Sequence, residues 1–150
     1  MAESIVVYFS KASWKEVERS VEEIARLAGI SGFPTWAYPP LGDNLVSLYE
    51  YNDIFKEFEP DDLSQVKAAF GGLPASVLCI ELRRSKADAA VDCAAELTVH
   101  FLTRFSGMAD DLIRNLWGLE EITQGVEKDG MKFLDCYRQK FLWRDRDPSP

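Results

Sequence analysis

The chain is poor in the residues that most catalytic and metal centres need. It holds one histidine, His100, and three cysteines, Cys79, Cys93 and Cys136, among 150 residues. Odd in number and widely spaced, the cysteines fit neither a disulfide framework nor a C-x-x-C metal knuckle, and their apolar or helical surroundings suit buried thiols. His100 lies one position off the apolar stripe marked by Thr98 and Phe101, where a helix-flank histidine is the simplest reading. A Ser-His or Cys-His pair that meets only in space stays open, but no nucleophile motif stands beside His100. There is no G-x-G-x-x-G, and Gly71-Gly72-Leu73-Pro74 lacks the following helix and lysine of a phosphate loop. Glu96, Asp110, Asp111, Glu120 and Glu121 could assemble a divalent-ion site, yet nothing in their spacing fixes one. The expectation is no catalytic residue, no cofactor and no metal.

Long apolar runs are missing as well. No stretch approaches the eighteen residues of a membrane span, and the opening M-A-E-S-I-V-V-Y-F-S carries no basic leader or small-residue cleavage pattern, so a cytoplasmic location is expected. Positive charge is in short supply: 17 Lys and Arg stand against 25 Asp and Glu, a net charge of -8. That balance argues against nucleic-acid phosphates and anionic membranes, whose recognition needs cations, and favours a basic or neutral partner. The charge is also uneven. Glu50, Asp53, Glu57, Glu59, Asp61 and Asp62 face only Lys56, which leaves a net -5 within thirteen residues. A solvated loop and helix start, with carboxylates at the positive end of the helix dipole, is the plain alternative to a contact surface.

What is present is enough to fold. Apolar residues make up 47% of the chain and aromatics 12%, which supports one sizeable core, expected as a single α+β domain over 1–143 with 144–150 as a flexible tail. Ser4 to Ser10, S-I-V-V-Y-F-S, predicts a buried strand. Ser13-Trp-Lys-Glu16 predicts a capping box opening a helix to about Ala28, with Val17, Val21, Ile24, Ala25 and Ala28 on one stripe and Gly29 as its stop. Between Gly32 and Asp43 three prolines forbid a helix, and Trp36 and Tyr38 in that loop either cover a core edge or line a ligand site. Asn44 to Tyr51 reads as a strand, Pro60 and Gly71-Gly72 bracket a short helix, and Ala75 to Arg83 is the strongest and most central strand.

Further along, Ser85 to Asp88 reads as a cap for a helix that puts Ala87, Val91, Ala94, Thr98, Phe101 and Phe105 on one face, with Gly107 as its end. Met108 to Ile113 is a fourth strand, although Asp is a poor strand former. Leu116 to Thr123 is a short helix or turn, and Met131 to Leu142 a last helix or strand. The order βαββαβ, with right-handed crossovers, predicts a ferredoxin-like antiparallel sheet with helices on one face, an inserted short helix and C-terminal additions. Such a fold hosts many activities and selects none.

The segment F-S-G-M-A-D-D-L-I-R-N-L-W-G-L-E-E-I sets Asp110 and Asp111 among apolar residues without a His, Cys or third carboxylate at relay spacing. The pair therefore reads as an acidic contact surface, or as a cap that orients the Trp117 segment. Together with the strand S-V-L-C-I-E-L and the helix A-A-V-D-C-A-A-E-L-T-V-H-F-L-T-R-F, this segment resembles small bacterial immunity proteins that neutralise polymorphic or contact-delivered toxins. The likeness runs from Gly71 to Ile122, and the basic Arg83, Arg84 and Lys86 interrupt an otherwise acidic pattern. It implies a cytosolic, non-enzymatic protein that binds a cognate toxin or effector with a basic surface and occludes its active site. The expected partner-binding residues are Glu50, Asp53, Glu57, Glu59, Asp61, Asp62, Asp110, Asp111, Glu120 and Glu121. A structural or adaptor domain of a bacterial assembly and a small-molecule binder or enzyme are the alternatives.

Overall fold

A computed structural model describes residues 3–28, 34–113 and 115–139. The expected strand at the start, β1 (Ser4–Phe9), is buried from Ile5 to Phe9 without interruption, because both faces of the sheet are covered along it. The capping box forms as the spacing predicts: Glu16 N–H donates to Ser13 Oγ at 3.4 Å and Ser13 N–H to Glu16 Oε2 at 3.0 Å. It opens α1 (Trp14–Ile24), which ends earlier than the expected Ala28. The reason is tertiary. Residues after Ala25 turn extended and form β2 (Arg26–Leu27), which pairs antiparallel with β3 (Trp36–Tyr38), and the Ala28 amide donates to the Thr35 carbonyl at 2.7 Å. The expected helix stop Gly29 lies outside the described residues. The proline-rich loop is thus partly strand, and Trp36 is buried in the core, as the core-cover reading had it.

Next come β4 (Val46–Glu50), a single-turn helix α2 (Ile54–Glu57) and α3 (Pro60–Phe70), the last closed by Gly71 in the left-handed conformation at φ 71°. The expected central strand is β5 (Ser76–Leu82). A 3-10 turn, Arg84–Lys86, then replaces the expected Ser85 cap, and α4 (Ala87–Arg104) starts without a side-chain cap. It buries Val91, Ala94, Thr98 and Phe101, with Ala90, Leu97 and Leu102 widening the stripe. Gly107 does not end this helix. It opens β6 (Gly107–Asp110), and a Cβ there would stand 1.9 Å from the Tyr8 carbonyl oxygen, so glycine is what lets β6 approach β1. The chain continues into β7 (Leu116–Trp117) and α5 (Leu119–Thr123), then a Lys128–Met131 bridge and a helical stretch at 135–139. The expected tail at 144–150 lies outside the described residues.

Among the described residues the protein is a mixed α and β structure built on a seven-stranded sheet in the order β2-β3-β4-β5-β1-β6-β7, with every pairing antiparallel. The four expected strands occupy inner positions; β2 and β3 extend one side and β7 the other. Helices are not confined to one face. On the first face α1 and α4 pack onto Ile5, Val7, Phe9, Leu48, Leu78 and Ile80. On the second, α2 and α3 bring Ile54 and Val66 onto Val6, Tyr8, Val77 and Cys79. Strands β1 and β5 are buried on both sides for that reason. The second-face helices cover the β1 side of the sheet and leave Ser47, Tyr49 and Glu81 only partly buried, which is where the larger depression lies.

Candidate functional site: two acidic depressions

The larger depression is a groove of about 750 Å³ at the end of β4. Strand alternation points Ser47, Tyr49 and Glu81 to the second face, where Ser47 lies opposite Glu81 and Tyr49 opposite Cys79 across the β4–β5 pair. Trp14, Pro34, Thr35, Glu50, Tyr51, Asn52, Asp53 and Glu57 complete its lining. Four carboxylates therefore line it, and no Lys or Arg does among the described residues. Three of the four have partners: Glu50 accepts from Asn52 Nδ2 at 3.1 Å, Glu57 from the Tyr51 hydroxyl at 2.5 Å, and Asp53 lies 3.4 Å from Lys56 Nζ. Glu81 has no hydrogen bond or ion pair among the described residues. Burial raises the Glu50 carboxyl above its ordinary range, and the bond to Glu57 pushes the Tyr51 phenol up to about 12. Tyr49 and Tyr51 stand with ring centroids 6.2 Å apart, so the floor is aromatic and the wall is acidic.

The smaller depression, about 140 Å³, lies across the α2–α3 segment and is lined by Phe58, Asp62, Gln65, Val66, Asp110, Leu112, Ile113, Asn115 and Leu116. Asp62 and Asp110, from the two acidic clusters separated in sequence, come together here. Asp110 Oδ2 accepts from the Tyr8 hydroxyl at 2.8 Å and Oδ1 from the Leu112 amide at 2.8 Å. Burial raises the Asp110 carboxyl, with the Asp111 and Asp62 charges adding to it, and burial together with Asp110 holds the Tyr8 phenol far above the usual tyrosine range. Leu112 sits at φ 60°, a left-handed conformation uncommon for leucine. Leu112 and Ile113 are 38% and 46% exposed at the rim, so this turn presents aliphatic side chains beside carboxylates.

Asp111 belongs elsewhere. Only 3% exposed, it accepts from the Ile113 and Asn115 amides at 2.9 and 3.0 Å and from Trp117 Nε1 at 3.1 Å. Its carboxylate orients the Trp117 segment, the arrangement that the capping alternative for the Asp pair describes. Trp117 is further held by Lys128 Nζ 5.0 Å from its ring centroid and by the edge of Phe133. Glu121 is also committed locally, accepting from the Gly118 amide at 2.8 Å and pairing with Lys128 at 2.9 Å. Glu120 is exposed on α5. Glu59, the residue before α3, and Asp61 in its first turn are exposed and line neither depression. Of the ten expected residues, Glu50, Asp53 and Glu57 share the groove, and Asp62 and Asp110 share the small depression.

Residues missed by sequence reasoning are Trp14, Tyr49, Tyr51 and Glu81 in the groove and Tyr8 beside Asp110. Two of them carried a readable signal: Glu81 is a charge inside the most apolar strand, and a tyrosine within a buried run needs a partner for its hydroxyl. Trp36 and Tyr38 do not line the groove; Trp36 packs in the core, its ring centroid 6.5 Å from that of Trp14.

The remaining reactive groups are placed as follows. None of the three cysteines is in a disulfide, and burial pushes the Cys79 and Cys93 thiols up to about 11, so both stay protonated at neutral pH. His100 has an Nε2 without a hydrogen-bond partner, and burial lowers its pKa. Among the described residues no group of three or more His, Cys, Asp or Glu is placed to hold a metal ion, and no helix is long and apolar enough to cross a membrane. Comparison with protein-family models, with curated proteins and with solved structures gives no match.

Proposed function

We propose that the chain is a non-enzymatic, cytoplasmic binding protein that recognises a basic surface on another protein, in the manner of an immunity protein that occludes the active site of a cognate toxin or effector. The observation that carries this reading is a pair of acidic depressions beside the α2–α3 segment, the larger lined by Asp53 and Glu57 and the smaller by Phe58 and Asp62, which join carboxylates from distant parts of the chain. Opposite potentials speed encounter, and a basic cleft such as that of a nuclease is the kind of target such a face suits. The exposed Leu112 and Ile113 add apolar contact beside the charges, as a protein interface requires and a site for a bare ion does not. The ferredoxin-like reading of the inner sheet is supported by the neighbour order β4-β5-β1-β6, with β2, β3 and β7 as additions at its edges. A small-molecule binder is the second reading, favoured by the groove's volume, which lies within the range of ligand pockets.

The test begins with affinity capture from the native organism and identification of the bound protein by mass spectrometry. Association of the purified pair is then measured at low and high salt. Combined Asp53→Asn, Glu57→Gln and Glu59→Gln should slow association and flatten its salt dependence, with dissociation changed less, because rim charges act on encounter. Co-expression should relieve growth inhibition by the captured partner. An unchanged salt slope in a folded variant removes the acidic-surface reading, and absence of growth protection removes the immunity reading.

A further inference from the structure

We infer that the groove is a recognition slot for an arginine side chain presented on an extended segment of the partner, an inference that rests on the basic-partner reading and names its chemistry. Glu50, Asp53, Glu57 and Glu81 line one groove that holds no Lys or Arg among the described residues. Surface carboxylates in such density repel one another, and a bound cation relieves that repulsion.

Glu81 stands apart from the other three carboxylates. It projects from the central strand, is partly buried, and lies opposite Ser47 with neither hydrogen bond nor ion pair among the described residues. In a strand otherwise buried from Ser76 to Leu82, Glu81 is the one position left partly exposed, and it lines the groove. Its three companions are each engaged locally, so Glu81 is the one with full capacity to accept from a ligand.

The aromatic lining selects arginine. Tyr49 and Tyr51 set two rings 6.2 Å apart and tilted 36° in the groove, which Trp14 also lines. A planar guanidinium stacks on such rings while its forked donors meet carboxylates at the edge; an ammonium is a compact, strongly hydrated charge that does the second and gains less from the first. A groove of about 750 Å³ also exceeds what one side-chain head fills, leaving room for flanking backbone of the same segment.

The experiment uses the whole chain and small probes, so it needs no protein partner. N-acetyl-arginine amide is titrated while the Trp14 indole resonance, assigned by its loss in Trp14→Phe, and the ring resonances of Tyr49 and Tyr51 are followed by NMR. A saturable shift is expected with a dissociation constant on the order of millimolar, with the Trp117 indole unmoved. The neutral isostere N-acetyl-citrulline amide should be silent, and the lysine counterpart several-fold weaker. Glu81→Gln should weaken arginine binding at least about fivefold with circular dichroism unchanged; Glu50→Gln replaces it should that variant not fold. Equal response to citrulline, equal response to lysine, or an unaltered response in Glu81→Gln overturns the slot. If the slot fails while the triple charge variant still slows association with the captured protein, the basic-partner reading stands without it. If the slot holds while that variant has no effect on association, the partner reading falls instead.

Discussion

Replacing Asp111 by Asn changes one atom's chemistry and tests whether this residue acts in the scaffold. Oδ1 accepts two amides, from Ile113 and Asn115, while Oδ2 accepts Trp117 Nε1. In the asparagine variant the surviving oxygen keeps the two amides, and the new NH2 faces the indole N–H, donor against donor. Trp117 is 2% exposed, so its orphaned donor has no water to turn to. The expected loss is about 1–3 kcal/mol for that group, whereas Asp111→Ala, which removes the acceptor for Ile113, Asn115 and Trp117 together, should lose about 3–6 kcal/mol. The two amides lie near a surface turn and rehydrate in part, which is why the second figure is less than three full bonds to a buried charge. With a urea slope of about 2 kcal/mol/M, Asp111→Asn should lower the unfolding midpoint by about 1 M without changing the slope. Glu120→Gln, on the exposed side of α5, should leave the midpoint in place. In a Trp117→Phe background, where no indole N–H remains, the asparagine substitution should lose most of its effect. A wild-type midpoint for Asp111→Asn, or an equal loss in both backgrounds, refutes the assignment of Asp111 to the scaffold.

Three other outcomes follow from packing and titration. Phe101→Ala should cost about 3–5 kcal/mol, because the ring is fully buried against Phe9, whereas His100→Ala should change stability by less than about 1 kcal/mol; equal midpoints in denaturant would mean the wrong face of α4 is read as buried. Gly107→Ala drives a methyl into the Tyr8 carbonyl, so β6 must lift off β1, and loss of cooperative unfolding or a fall of more than about 2 kcal/mol is expected by urea titration. Asp110 has a raised pKa in the folded chain, so the native state takes up its proton more readily than the unfolded one; its contribution is fully present below the ordinary 3.8 and is lost as pH rises through the folded value. Asp110→Asn lacks that loss, so its midpoint relative to wild type should improve as pH is raised from about 3.8 toward neutrality, and a pH-independent difference would contradict the burial argument.

Much of the inner fold was legible because its signals are local. The Ser13–Glu16 box, the Pro60 start and Gly71 stop of α3, and the apolar run of β5 each depend on residues within one element. The misses depend on partners far along the chain. Strands β2, β3 and β7 have two or three residues each, too few for any periodicity, and exist because the neighbouring strand offers its free edge. Pairing of Arg26 and Leu27 with β3 is also what takes the last turn away from α1. Gly107 read as a helix stop because a glycine after an apolar helix usually is one, while its cause is the Tyr8 carbonyl across the sheet. At the site, composition gave the acidity of 50–62 but could not tell a carboxylate that faces solvent from one that faces in. Asp53, with its side chain 80% exposed, and Asp111, 3% exposed, look alike in sequence.

That difference in burial divides the acidic residues into two kinds with separable effects. Attraction toward a basic partner acts through solvent, sums over every exposed carboxylate and decays over a screening length of about 8 Å at physiological salt, so losing one charge among several changes little. Anchoring acts through hydrogen bonds of fixed geometry, and each acceptor is then individually necessary. Asp110 and Asp111 are of the second kind: through the Leu112, Ile113 and Asn115 amides they fix the turn that holds Leu112 in its left-handed conformation and sets Leu112 and Ile113 at the rim. Their neutralisation should therefore act on the shape of the rim and hardly on the salt dependence of association, the reverse of the pattern for Asp53 and Glu57. Added salt distinguishes the two even before a partner is known, since the unfolding midpoint difference between Asp111→Asn and wild type should survive it, as a hydrogen bond inside the protein is not screened.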